Sequence, residues 1–173
     1  MILLCHALAN LRMKHRPAIR ISVADQRLEL RTADGKHRSY PISTSRLGLG
    51  FKEGSYKTPT GEFRVVEKIG DGMPLETVFK GRKPVQMRAE DHPQDDLIMA
   101  RILWLDGRGK RNANTRSRYI YIHGTNQERD VGRATSHGCV RMRNTDVAEL
   151  FGLVDVGTPV TITRAAMRER GGE

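Results

Sequence analysis

The sequence predicts a mainly β fold, and three features carry that prediction. Short apolar–polar alternations recur from Ala18 onward, Gly, Pro and Asp turn signals separate them, and only one segment has a persuasive helical period. Ile19, Ile21 and Val23 alternate with polar residues. Leu28 and Leu30 do the same after Ala24-Asp25-Gln26, so the two segments read as a hairpin. Asp34-Gly35 is a tight-turn signal leading into a third strand around His37–Thr44. Gly48, Gly50 and Gly54 punctuate a loop, and Thr58-Pro59-Thr60-Gly61 makes a turn that launches Glu62–Lys68, where Phe63 and Val65 alternate with charges. Residues 69–96 are interrupted by Gly70, Gly72, Pro74, Gly81, Pro84 and Pro93, and are expected to form a functional lid or mobile insertion. Leu97–Leu105 is a nearly continuous apolar run, which predicts a buried strand. Tyr119–His123 reads as another strand, with Tyr119, Tyr121 and His123 on one face and Ile120 and Ile122 on the other. The helix begins at Asn144 as cap, places Asp146 at its positive end, and carries Val147, Leu150 and Phe151 as an apolar stripe before Gly152 stops it. Val160–Ile162 closes the sheet after Gly157-Thr158-Pro159, and the charged tail, residues 164–173, is expected to be a frayed helix.

The chain's 173 residues make one domain that can bury a core without disulfides or a structural metal. With 30 Lys and Arg against 20 Asp and Glu, the net charge of +10 favours polyanionic partners: nucleic acid, anionic lipid or a carboxylate-rich wall polymer. Against nucleic acid, the basic residues are scattered, aromatic content is only 5% and no zinc-finger spacing or basic-region heptad occurs. The densest basic stretch, Arg108 to Arg118, reads as a solvated loop. Cys5 and Cys139 form no CxxC pair and no disulfide framework. Residues 1–17 read as an N-terminal extension. Its apolar stretches are too short to span a membrane and make a poor secretory signal. Met13 is an alternative natural start, so residues 1–12 are expected to be dispensable. The domain itself spans residues 18–163.

Chemistry concentrates in residues 136–141, Ser-His-Gly-Cys-Val-Arg, and in His123, which opens a His-Gly-Thr triplet sixteen residues before Cys139. A thiol is a strong nucleophile only as thiolate, and a free cysteine with pKa near ~8.5 holds little of it at neutral pH. A neighbouring histidine supplies the missing base. Taken singly, His123 reads as a satisfied strand histidine and Cys139 as a small buried apolar residue. The joint pattern shifts that balance. Gly138 permits a tight backbone and close substrate approach, Ser136 and His137 crowd polar groups beside the thiol, and Arg141 adds a fixed cation for a thiolate or a substrate carboxylate. A zinc site built from His123, His137 and Cys139 is the metal alternative, with no evident fourth ligand.

The segment Tyr119–Met142, with its Ile-His-Gly-Thr and Ser-His-Gly-Cys-Val-Arg-Met, resembles the catalytic signature of the L,D-transpeptidases (YkuD-type domain) of bacterial peptidoglycan. Thr58-Pro59-Thr60-Gly61-Glu62-Phe63 and Gly157-Thr158-Pro159-Val160 are similar to further segments of that family, so the likeness covers roughly Ala18 to Thr163. The resemblance implies a β-sandwich or barrel-like catalytic fold with one or two short helices. It implies Cys139 as nucleophile, His123 as base, and the Gly124 carbonyl as the group fixing the imidazole tautomer. Gly138, Cys139 and His137 would stabilise the oxyanion with support from Ser136, while Arg141 and Tyr121 would bind substrate. No metal or organic cofactor is required. The implied partners are peptidoglycan stem peptides, as acyl donor and amine acceptor, with no nucleic acid and a monomeric enzyme. The implied location is the periplasm or cell envelope, although no clear signal peptide is visible and a cytoplasmic location stays open. Water in place of the amine would make the same thioester chemistry an L,D-carboxypeptidase. The alternative of another class is a basic nucleic-acid-binding module.

Overall fold

In a computed structural model that describes residues 15–167, the alternations at the start of the chain become an antiparallel meander. It consists of β1 (Ala18–Ser22), β2 (Arg27–Arg31) and β3 (His37–Pro41). The free edge of β1 takes β10 (Pro159–Thr163) in parallel, with Ile19 opposite Val160, so the two ends of the domain lie side by side. From β10 the sheet runs antiparallel through β4 (Gly61–Ile69) to β7 (Ile98–Gly107). Beyond the end of β4, the hairpin of β5 (Val78–Lys80) and β6 (Lys83–Val85) continues its row along β7. The other edge of β7 holds β8 (Tyr121–Thr125), which pairs in parallel with β9 (Val140–Met142). Past β3 the chain bridges back to the β9 side, Ser43 to Arg141 and Ser45 to Ser136, which curls the sheet toward a barrel.

One helix, α1 (Asn144–Leu153), packs on β7 and β8 with Val147, Leu150 and Phe151 buried, the i, i+3, i+4 stripe a half-buried helix requires. Strand β7 shows why Leu97–Leu105 is apolar throughout. Leu103 and Leu105 enter the main core with Ile122, Val140, Met142 and the helix stripe. Ile102 and Trp104 point the other way, into a second cluster with Phe79 and Tyr121, against which Cys139 packs. Both faces of the strand are covered, so neither tolerates polar residues. The second face carries the site.

Several expectations need correction. Strand β8 starts at Tyr121, because Tyr119 sits in a turn at φ 56°, so Tyr119 does not share its pleat. The helix N-cap position falls on Arg143 without a side-chain cap bond. The Asn144 amide is instead used across the sheet edge: its Oδ1 accepts from Thr125 N at 2.9 Å and its Nδ2 donates to Thr125 O at 3.1 Å. Gly152 lies inside the helix, which ends when Val154 turns extended. Residues 69–96 are built rather than structureless. The β5–β6 connection has Gly81 and Arg82 at φ 55° and 66°, the signature of a type I′ hairpin, while Val78 and Phe79 are buried. The third strand stops at Pro41. Residues 164–167 form no helix; the Met167 N–H instead donates to the Asp25 carboxylate at 2.7 Å. The proposed dispensability of residues 1–12 and the end of the tail lie outside the described residues. No helix among the described residues is long and apolar enough to cross a membrane.

Candidate active site

Parallel pairing of β8 with β9 brings the two halves of the motif together. His123 stands opposite Arg141, and Ile122 opposite Val140. Cys139 therefore falls across from Tyr121, one pleat from His123, and shares its face of the sheet. One pleat is about 6.6 Å along a strand and the neighbouring strand lies about 4.8 Å away, within side-chain reach.

His123 is 2% exposed, and its Nδ1 lies 2.6 Å from the Gly124 carbonyl oxygen. A carbonyl only accepts, so Nδ1 carries the proton and Nε2 presents a lone pair. Desolvation pulls the imidazole pKa below its usual value, against the Gly124 bond, which raises it. Gly124 is required here for space as well. A Cβ on it would stand 2.1 Å from Asn144 Oδ1 and 2.7 Å from the Met99 carbonyl oxygen.

The Cys139 thiol is held by backbone. It donates to the Tyr119 carbonyl at 3.3 Å and accepts from the Tyr121 N–H at 3.4 Å. His123 is not among its bonded partners, so the sulfur must turn off Tyr119 to meet Nε2. Burial pushes the thiol up to about 11, and the Tyr121 N–H together with the Arg141 and Arg118 charges only partly offsets this. Thiol and imidazole are therefore both neutral at rest.

The loop that presents the thiol is fixed by hydroxyl groups. Ser136 Oγ donates to the Cys139 carbonyl at 2.6 Å and accepts from the Gly138 N–H at 3.3 Å. Gly138 has φ +119°, a conformation an L side chain rarely adopts. Thr58, the first threonine of the Thr-Pro-Thr-Gly turn, donates to the Gly138 carbonyl at 3.0 Å and accepts from Ser45 N at 3.0 Å. The Gly138 N–H is thus already engaged, which leaves the Cys139 N–H as the better candidate oxyanion donor.

Arg141 favours the Cys139 thiolate by its charge but does not serve the substrate-binding role expected of it. Its side chain is 1% exposed and bonds Asp96 Oδ2 at 2.5 Å and Gln127 Oε1 at 2.9 Å, so it is sealed from any substrate. Asp96 also takes His137 Nδ1 at 2.8 Å, and it stays acidic because His137 and Arg141 together outweigh its desolvation. The exposed His137 ring meets Tyr56 edge-on at 6.2 Å. Tyr121 is buried against Trp104, and only its hydroxyl faces a polar partner, Arg82 Nη1 at 3.3 Å, so it backs the site rather than gripping substrate. His123, His137 and Cys139 do not converge, and among the described residues no group of three His, Cys, Asp or Glu side chains is placed to hold a metal.

Three contributors went unread in the sequence. Asp96 lies at the end of the irregular segment, where a lone acidic pair before an apolar strand was its only signal. Arg82, at the hairpin tip, lies over the rings of Trp104 and Tyr119 at 4.6 and 5.1 Å. Arg118 belongs to the basic stretch. Its guanidinium donates to the carbonyls of Lys57 at 2.6 Å and Gly50 at 3.2 Å. A groove of about 280 Å³ is lined by Glu53, Tyr56, Arg118, His137 and Tyr119, whose carbonyl accepts the thiol's hydrogen bond. A larger hollow of about 800 Å³, lined by Phe51, Glu62 and Arg108 among others, contains no residue of this site.

The family model of the YkuD L,D-transpeptidase catalytic domain matches residues 16–162. The Bacillus subtilis protein YqjB is 38% identical over 106 residues, covering 61% of this chain and 52% of that protein. Bacillus subtilis YkuD is 28% identical over 147 residues, covering 84% and 65%. Both bear the name L,D-transpeptidase, and the chain spans about half to two-thirds of their lengths. Among solved structures, L,D-transpeptidase 3 from Mycobacterium tuberculosis with a faropenem-derived adduct superposes with TM-score 0.56 at 19% identity, covering 86% of this chain and 61% of that one. A likeness at that identity speaks to the fold alone.

Proposed function

This chain belongs to the YkuD family of L,D-transpeptidase catalytic domains, and we propose that it performs cysteine acyl transfer on peptidoglycan stem peptides. The observation that carries this reading is the Gly124 carbonyl on His123 Nδ1, which commits Nε2 to act as a base one pleat from the thiol.

The sulfur turns off the Tyr119 carbonyl and attacks the carbonyl carbon at the L-centre of the diamino acid, third residue of a tetrapeptide stem. His123 Nε2 takes the thiol proton as the C–S bond forms. Because desolvation favours the neutral form of both groups, the proton moves during attack rather than beforehand. The Cys139 N–H faces the developing oxyanion, a contribution of about 3 kcal/mol in comparable sites. Collapse breaks the C–N bond to D-alanine, and the imidazolium protonates that nitrogen. The amine of a second stem then attacks the thioester and surrenders its proton to His123, and the sulfur departs and is reprotonated. Water in place of the amine releases a trimmed tripeptide.

Intact-protein mass spectrometry after exposure to faropenem tests the nucleophile. An adduct mapping to Cys139 and absent from Cys139→Ala is expected, and an adduct surviving in that variant refutes the assignment. Product analysis with a purified tetrapeptide then separates a cross-linked dimer from tripeptide.

A further inference from the structure

With Arg141 sealed against Asp96, recognition of substrate charge needs another cation, and one is present. Arg118 is half-buried in the groove that also holds Tyr119, and its charge reaches the Cys139 thiol. Two of its five N–H donors are taken by the Gly50 and Lys57 carbonyls. Main-chain carbonyls orient a guanidinium without neutralising it, and among the described residues no carboxylate lies within 4.0 Å of Arg118. The same groove is lined by Tyr119, whose carbonyl holds the sulfur, and by the exposed carboxylate of Glu53. Glu53 is near enough to influence Arg118 electrostatically yet is not paired with it. His137 lines the groove too, but its Nδ1 is already committed to Asp96. One fixed cation and one unpaired anion across a small groove match a ligand that bears both charges.

We propose that this groove is a subsite for a free amino-acid head group, the carboxylate held by Arg118 and the ammonium by Glu53. Resting on the stem-peptide reading above, the head group is the D-centre of the diamino acid, whose amine and carboxylate share one carbon and take no part in the stem's backbone. Arg118 forks the carboxylate with its remaining donors, and Glu53 accepts from the ammonium. An amidated carboxylate or an acylated amine loses one arm of this recognition. The same head group occurs on the acyl donor and on the acceptor, so the two steps need separate measurement.

The test compares wild type, Arg118→Gln, Arg118→Lys and Glu53→Gln, with stems whose D-centre is free, carboxamidated or N-acetylated. Acylation of Cys139 is followed on single stems, and resolution of a preformed thioester is followed with added acceptor. Wild type should favour the free head group about tenfold or more. Arg118→Gln should lose discrimination against the carboxamide only, and Arg118→Lys should regain part of it. Glu53→Gln should lose discrimination against the N-acetyl donor in the acylation step only, because an N-acetylated acceptor has no amine to attack the thioester. Loss in the acylation step places the donor in the groove; loss of carboxamide discrimination in the resolution step places the acceptor there. Unchanged discrimination in both steps, in variants of wild-type melting temperature, overturns the subsite and leaves the function standing. A readout free of turnover is protection of Cys139 from iodoacetamide by free diaminopimelate. Protection in wild type that is weakened in Arg118→Gln and Glu53→Gln supports the subsite even if no stem is turned over, an outcome that would sink the proposed function alone. Absence of protection refutes the subsite.

Discussion

Replacing Asp96 by Asn would expose how strongly the site's stability depends on one carboxylate. Arg141 is 1% exposed and its closest anionic contact is Asp96 Oδ2 at 2.5 Å. Gln127 adds a neutral acceptor at 2.9 Å, and the buried Arg141 Nε has no partner at all. Removing the partner of a buried charge costs about 3–5 kcal/mol. Asp96 itself is 28% exposed, so water screens part of the pair and about 2–3 kcal/mol is the expected loss. For a domain of this size that corresponds to roughly 5–10 °C in melting temperature, read by circular dichroism. The double variant Asp96→Asn with Arg141→Met should recover much of it, because no charge is then left stranded. The sign with pH follows from the lowered Asp96 pKa. A depressed carboxylate contributes stability above its unfolded value near ~3.9 and loses it as pH falls through the folded value. The gap between wild type and variant should therefore be full at pH 7 and close only below about pH 4. An Asp96→Asn protein melting with wild type at pH 7 would refute the reasoning.

Further perturbations follow from the same geometry. The lowered His123 pKa means that the base loses its proton below the usual imidazole range, so the acylation rate should reach half-maximum below pH 6.5; a half-maximal rate above that pH contradicts it. His123→Gln should lose about 10²–10⁴-fold in acylation rate at neutral pH and recover toward pH 11, where the thiol ionises unaided; equal impairment at every pH would mark His123 as structural. Gly138→Ala should lose about 1–3 kcal/mol in urea unfolding, because φ +119° strains any Cβ-bearing residue. Thr58→Val strands the Gly138 carbonyl and the Ser45 N–H, and should lose about 2–4 kcal/mol together with acylation rate.

What was legible in the sequence is what local period and short spacing encode. The strands with clean alternation, the buried run of β7 and the apolar stripe of α1 all follow from residue types within a few positions of one another. The tautomer-fixing carbonyl of Gly124 entered through the family resemblance and stands where that implied. The failures share one cause: partners distant in the chain. Arg141 reads as a free cation until Asp96 arrives from forty-five positions earlier to neutralise it. Asn144 reads as a cap until Thr125 claims both ends of its amide. Residues 69–96 read as irregular because β5 and β6 are short, and because their pairing with β7 lies beyond any local window.

Thr58 grips the Gly138 carbonyl across 80 positions of chain, and Ser43 and Ser45 reach the same region from the far side of the curl. Chemical competence therefore arrives last. On the proposed mechanism, an unfinished or heat-loosened polypeptide carries an ordinary sulfur with neither its base nor its loop in place, and would become competent only once the sheet has closed on itself. If the proposed acyl transfer holds, the fraction of molecules a penem labels would be a census of completed tertiary structure.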